Sequence, residues 1–217
     1  MTIEACQQRK DRPVRFALRL ILVILFAAGM VVPAVAQRPW SIFIGGGAAG
    51  FGGASSVPDD ASGAQIKPAP TTRLHAGGTR ALGRAGVAFD FAYSKSGLGG
   101  YGDGGSYALS PALTLYDLRL LFNYRLASFD RSSLSAALGP MLQVWSGEAI
   151  LDTQTRLGGA AALTLAVPIS GAFGLLVTGS LGVAGCPFDA GILEDAGGFE
   201  PANVWTRELA VGLRLSL

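Results

Sequence analysis

The stretch from residue 209 to residue 217 alternates without a break. Leu209, Val211, Leu213, Leu215 and Leu217 are apolar, and Ala210, Gly212, Arg214 and Ser216 between them are small or polar. Successive side chains of a strand point to opposite faces, so this segment is a strand with one greasy face and one face that tolerates polarity. The same pattern recurs along the chain. It leaves two broad solutions: a soluble sandwich that buries the greasy faces together, or a barrel that turns them toward lipid.

The opposite faces separate the two. Candidate strands cover residues 40–51, 71–79, 84–94, 112–126, 133–145, 155–167 and 172–183, and an eighth begins near 204. In the third, Val87, Phe89, Phe91 and Tyr93 share one face, and the other carries Gly86, Ala88, Asp90, Ala92 and Ser94. In the fourth, Tyr116, Leu118, Leu120, Phe122 and Tyr124 align against Asp117, Arg119, Asn123 and Arg125. A sandwich covers its outside with long charged side chains. Faces of glycine, alanine and serine with a few charges fit the inside of a narrow barrel better.

The connections support the barrel. Long or moderate links at 52–70, 95–111, 146–154 and 184–203 alternate with short ones near 80–83, 127–132 and 168–171. Transmembrane barrels have long outer loops and short periplasmic turns. An even number of strands also closes the sheet and removes its edges.

The amino-terminal segment reads as a secretory signal. Arg9, Lys10, Arg12, Arg15 and Arg19 form a basic front, an apolar run extends from Leu20 through Val32, and Ala34-Val35-Ala36 offers small residues for cleavage before Gln37. A retained inner-membrane anchor is the alternative, but the run is short for a span of about 20 residues. The expected organisation is a signal at 1–36 and one barrel domain at 37–217. Without residues 1–36 the chain carries 12 basic and 13 acidic residues, so the formal net charge of +2 belongs to the signal. No basic patch argues for nucleic acid. Cys186 is then the one remaining thiol, which excludes an intramolecular disulfide.

Signal, alternating strands, unequal links and terminal amphipathic strand together resemble the small eight-stranded outer-membrane barrels of the OmpA/OmpX type. The resemblance is architectural, spans nearly all of 37–217, and matches no family-specific motif. It implies an all-β, antiparallel, up-and-down transmembrane barrel in the cell outer membrane. Lipid surrounds such a barrel, and barrel-assembly machinery reads its last strand. A monomer is expected, without cofactor or metal. Such barrels usually end in Phe or Trp, where this chain ends in Leu217.

Several residues stand out against this frame. Asp90, Asp117 and Glu208 can face Arg73, Arg119 and Arg214 across the lumen, because buried charges must pair. They form either a salt-bridge plug or the lining of a small polar pore; the plug fits the narrow interior better. Trp40, Tyr93, Tyr116, Tyr124 and Trp205 fall near strand ends, where amphipathic rings form membrane-interface girdles. Trp145 also falls near a strand end and is a further girdle candidate, though on the inward register. His75, the only histidine, invites comparison with outer-membrane lipid hydrolases that pair a histidine with a serine and a carboxylate. Its neighbours Arg73, Leu74, Ala76 and Gly77 do not resemble that signature, so a polar lining role is the simpler reading. Gly97-Leu98-Gly99-Gly100-Tyr101-Gly102 satisfies G-x-G-x-x-G, but Gly- and Pro-containing sequence follows where a phosphate site needs a helix. It reads as an outer loop. The long loops are acidic, with Asp59, Asp60, Asp103, Glu148, Asp152, Asp189, Glu194, Asp195 and Glu200. The function expected is structural or surface interaction, with a small pore as the alternative and an enzyme as the least supported reading.

Overall fold

The computed structural model describes residues 40–56, 65–102, 105–147, 150, 152–188, 193 and 199–217. The signal and its cleavage residues Ala34, Ala36 and Gln37 lie outside the described residues, as do most of the acidic loop residues.

Among the described residues, nine antiparallel strands form the wall: β1 Trp40–Ser56, β2 Gln65–Pro68, β3 Thr71–Leu82, β4 Ala85–Gly102, β5 Gly105–Phe129, β6 Ser132–Ser146, β7 Gln154–Ser170, β8 Phe173–Ala184 and β9 Glu200–Ser216. The hydrogen-bonded order is β4-β3-β1-β9-β8-β7-β6-β5, and β5 returns to β4, so eight strands close a ring. The ninth, β2, adds no new wall position. It pairs with the tip of β4, from Gln65 opposite Tyr101 to Pro68 opposite Leu98, where β3 no longer reaches. Together β2 and β3 make one wall strand interrupted at Ala69 and Pro70.

The register fixes the shape of the ring. Followed from Phe43 through Gly77, Asp90, Arg119, Met141, Gly158, Ala184 and Val204, it returns to β1 at Gly53, ten residues beyond its start. Such a stagger requires tilted strands, about 35–45° from the axis, around an interior only just wide enough for side chains. Three two-residue turns close one end, at 83–84, 130–131 and 171–172. Gly83 and Gly171 supply the positive φ (72° and 55°) that tight hairpins demand. The remaining connections lie at the other end.

Alternation sorts the side chains as the sequence requires. Ile42, Ile44, Leu74, Leu120, Leu138, Leu157, Leu163, Leu181, Leu209, Val211 and Leu213 are exposed on the outside of the ring. Leu157 leaves 77% of its surface uncovered, a placement that makes sense against hydrocarbon and not against water. Trp40 and Tyr124 lie toward the turn end of this belt; Trp205, Tyr93 and Tyr116 lie toward the loop end, the last two with ring centroids 5.4 Å apart. Leu217, the final residue, is exposed, and its amide donates to the Trp40 carbonyl at 2.8 Å.

Two features differ from the sequence-based expectation. Residues 95–111 are not a loop: β4 and β5 run on as a paired hairpin to Gly102 and Gly105. Glycine-rich strands above a membrane need no apolar face, so the ladder continues after the alternation stops. The G-x-G-x-x-G stretch is therefore extended strand and cannot present a helix terminus to a phosphate. At the tip of β1, a bulge between Gly53 and Ser55 faces the part of β9 that contains Pro201. Proline cannot donate to a ladder, and the bulge turns Ser55 so that it accepts from the Ile66 amide and donates to the Ile66 carbonyl.

The outward register has a measurable consequence. Leu120→Arg or Leu163→Arg should each cost about 2–4 kcal/mol in folding into bilayers if the site lies at the midplane. Reversible urea unfolding in phospholipid vesicles measures this; wild-type stability in both variants would mean that these positions do not face lipid.

Candidate functional site

The inward face of β5 passes through every layer of the lumen. From the loop end it presents Leu113 and Leu115, then Asp117 and Arg119, then Leu121, Asn123 and Arg125. Each two-residue step moves about 6.7 Å along the strand. The other strands match each layer in kind.

An apolar stopper fills the loop end. Phe51, Ala54, Ile66, Leu113, Leu115, Trp145 and Val204 from the wall pack with Ile150, Phe188 and Leu193 from the connections. The Phe51 and Trp145 rings meet edge to face, centroids 5.9 Å apart. Trp145 is fully buried, so it belongs to this stopper and not to an interface girdle. The β8–β9 connection is tied down by polar contacts: Arg156 Nε donates to the Cys186 carbonyl at 2.6 Å, and the Cys186 thiol donates to the Ala54 carbonyl at 3.0 Å. Beneath the rings, Trp145 Nε1 donates to the Gln143 side-chain oxygen at 3.2 Å.

An ionic layer follows. Arg73 and His75 come from β3, Asp90 from β4, Asp117 and Arg119 from β5, Ser180 from β8 and Glu208 from β9. All are buried. Asp117 accepts from Arg73 at 2.7 Å and from Arg119 at 3.0 Å. Glu208 accepts from Arg119 at 3.1 Å, Arg73 at 3.4 Å and the Ser180 hydroxyl at 3.3 Å. Asp90 lies 3.6 Å from Arg119, its direct cross-strand partner. His75 bridges Asp90 and Glu208, with Nδ1 3.2 Å from Asp90 and Nε2 against Glu208. Ionised carboxylates only accept, so a ring held between two of them donates from both nitrogens and is a cation. The layer then holds three acids and three bases.

Its geometry gives it a mechanical role. In the ring order, β5 and β9 stand four strands apart in either direction, on opposite walls. Arg119–Glu208 therefore reaches across the lumen and pins facing walls together, and Arg73, on β3 two strands from each, ties to both Asp117 and Glu208. Arg214 does not join them, although its register is inward. It lies six residues farther along β9 than Glu208, about 20 Å at strand rise, and no contact between the two is possible. Among the described residues, no group of three or more His, Cys, Asp and Glu side chains is arranged to hold a metal ion. His75, which stood outside the charge pairs read from the sequence, is their third base.

Below the ionic layer the lumen opens as a vestibule of about 350 Å³ toward the turn end, between Trp40, Arg84, Arg125, Arg214 and Ser216.

No family model matches this chain, and no curated relative is matched. Solved structures do match in fold. Neisserial surface protein A is similar over 85% of this chain and 100% of its own, with a TM-score of 0.54 at 14% identity. The outer membrane protein OprG from Pseudomonas aeruginosa is similar over 82% of this chain and 96% of its own, with a TM-score of 0.50 at 15% identity. The chain thus has the fold of small outer-membrane β-barrels.

The ionic layer should behave as a unit. Asp117→Ala leaves two buried guanidinium groups without one of their two shared acceptors and should cost about 3–5 kcal/mol in urea unfolding. Arg214→Ala, outside the layer, should cost about 1 kcal/mol or less. Equal effects would contradict the separation of Arg214 from the network.

Proposed function

We propose that this chain is an outer-membrane barrel with a closed lumen, serving a structural or surface-interaction role through its loop end. One observation carries the reading. The apolar stopper and the cross-lumen ionic layer lie in series, so a solute would have to pass both. Dispersing the stopper exposes Trp145, Phe51 and Leu115 to water. Parting the ionic layer strands charges that satisfy one another. Both are costly, and each supports a wall that stays shut.

The other elements of the reading are proposed with it, from the sequence pattern. Residues 1–36 serve as the signal, the apolar outer belt contacts lipid as a monomer, and β9 carries the face that barrel-assembly machinery reads. The loop end faces the exterior, as in transmembrane barrels whose short turns are periplasmic. Asp152 and Glu200 are exposed there. His75 has a structural task in this reading. Both its ring nitrogens face carboxylates, and the nearby Ser180 hydroxyl is engaged by Arg119 and Glu208 instead.

A small pore for polar solutes is the competing function, and planar-bilayer recording separates the two. Protein purified from outer membranes should give no regular conductance steps at high salt. Stable ohmic steps from wild-type protein, absent from mock preparations, would contradict the closed lumen.

A further inference from the structure

The turn-end vestibule has a charge distribution that neither a plug nor a scaffold requires. Arg125 from β5 and Arg214 from β9 line it, and Arg84 stands at its rim beside Arg125. Arg125 is the like-charged neighbour of Arg214. None of the three makes a salt bridge among the described residues. Among the described residues, the carboxylates lining the cavity are Asp90 and Glu208 at its inner end, where Arg119, Arg73 and His75 already engage them. Arg214 is half-buried, and its Nε is shielded from solvent with no hydrogen-bond partner. Arg84 and Arg125 are exposed, so the like charges meet at the mouth of the cleft with only Arg214 half-buried, and their repulsion is relieved when a counter-charge arrives.

We propose that the vestibule is a binding site for a small organic anion, a phosphate monoester or a carboxylate with a short apolar body. Arg125 and Arg214 hold the anionic head, since guanidinium groups match the oxygens of phosphate and carboxylate in a fork. The wall farther in suits a modest apolar body with a few hydroxyls, because Ala137, Ala162 and Leu176 alternate with Ser135 and Thr178. A cavity of about 350 Å³ fits a molecule of a few carbons beyond its head group. The arginines line the lumen and not the lipid belt, so the occupant is a soluble solute and not a bilayer headgroup. Its arrival from the periplasm rests on the orientation proposed above. Binding itself does not.

The probe is n-butyl phosphate, titrated calorimetrically into full-length protein in a neutral maltoside detergent. Saturable binding is expected, and n-butanol should not bind. Arg214→Gln and Arg125→Gln should each weaken binding about tenfold, as loss of a charge-assisted hydrogen bond does. Arg207→Gln, on the exposed face of β9, should leave it unchanged. Heat-modifiable gel migration establishes that each variant has closed. Should a glutamine variant fail to close, the salt series on wild type decides: affinity should fall steeply with ionic strength. Absence of saturable binding, equal binding of butanol, a salt-independent affinity, or wild-type affinity in both closed glutamine variants would overturn the proposal. A conducting lumen would defeat the closed-scaffold reading and leave this result untouched.

Discussion

Everything in this molecule depends on where the backbone hydrogen bonds go. Hydrocarbon offers no partner for an amide or a carbonyl, and each one left open costs several kcal/mol. A β-sheet meets that demand only by closing. The pairing of β1 with β9, from Ser41 opposite Ser216 to Gly53 opposite Val204, is therefore the contact on which the other seven interfaces rely. Closure with a stagger of ten residues sets the tilt, the tilt sets the radius, and the radius limits what can stand inside.

Within that radius the lumen is organised by height. The loop end is dry and packed like a small protein core, with residues from two connections folded over strand side chains. The middle is charged and internally paired, although Asp117 Oδ1 and the Nε atoms of Arg73 and Arg119 have no hydrogen-bond partner. The turn end is lined by alanine, serine and threonine, and among the described residues its arginines make no salt bridge. The one inward face of β5 displays all three environments. The proposed roles follow the same axis: closure in the upper two layers and solute binding in the lowest.

Face was legible in the sequence; height was not. A period of two assigns Arg73, Asp90, Asp117, Arg119, Glu208 and Arg214 to the lumen without ambiguity, and five of them do meet. Arg214 separates because alternation reports which way a side chain points and not how far along the axis it stands. That distance follows from the register of eight pairings, which no single segment encodes. The stopper was half visible. Trp145 sat on the inward register, a placement at odds with a girdle, but its partners Ile150, Phe188 and Leu193 lie in connections with no periodic pattern. The β4–β5 hairpin beyond Lys95 was invisible for a different reason. Outside the membrane, neither face of a paired ribbon must be apolar, so the ladder outlasts the signal that announces it. His75 pairs with two carboxylates from different strands, and only the folded ring brings them to it.

Cysteine pairing across the closing seam tests the central claim most directly. With Cys6 and Cys186 replaced by serine, Ser41→Cys and Ser216→Cys occupy directly opposed positions of β1 and β9. Mild oxidation of the membrane-inserted protein should then join them within one chain in high yield. Moving the second cysteine to position 214, two residues along the same face, should sharply reduce the yield. Failure of the 41–216 pair to join, or preferential joining of the 41–214 pair, would contradict a ring closed in this register.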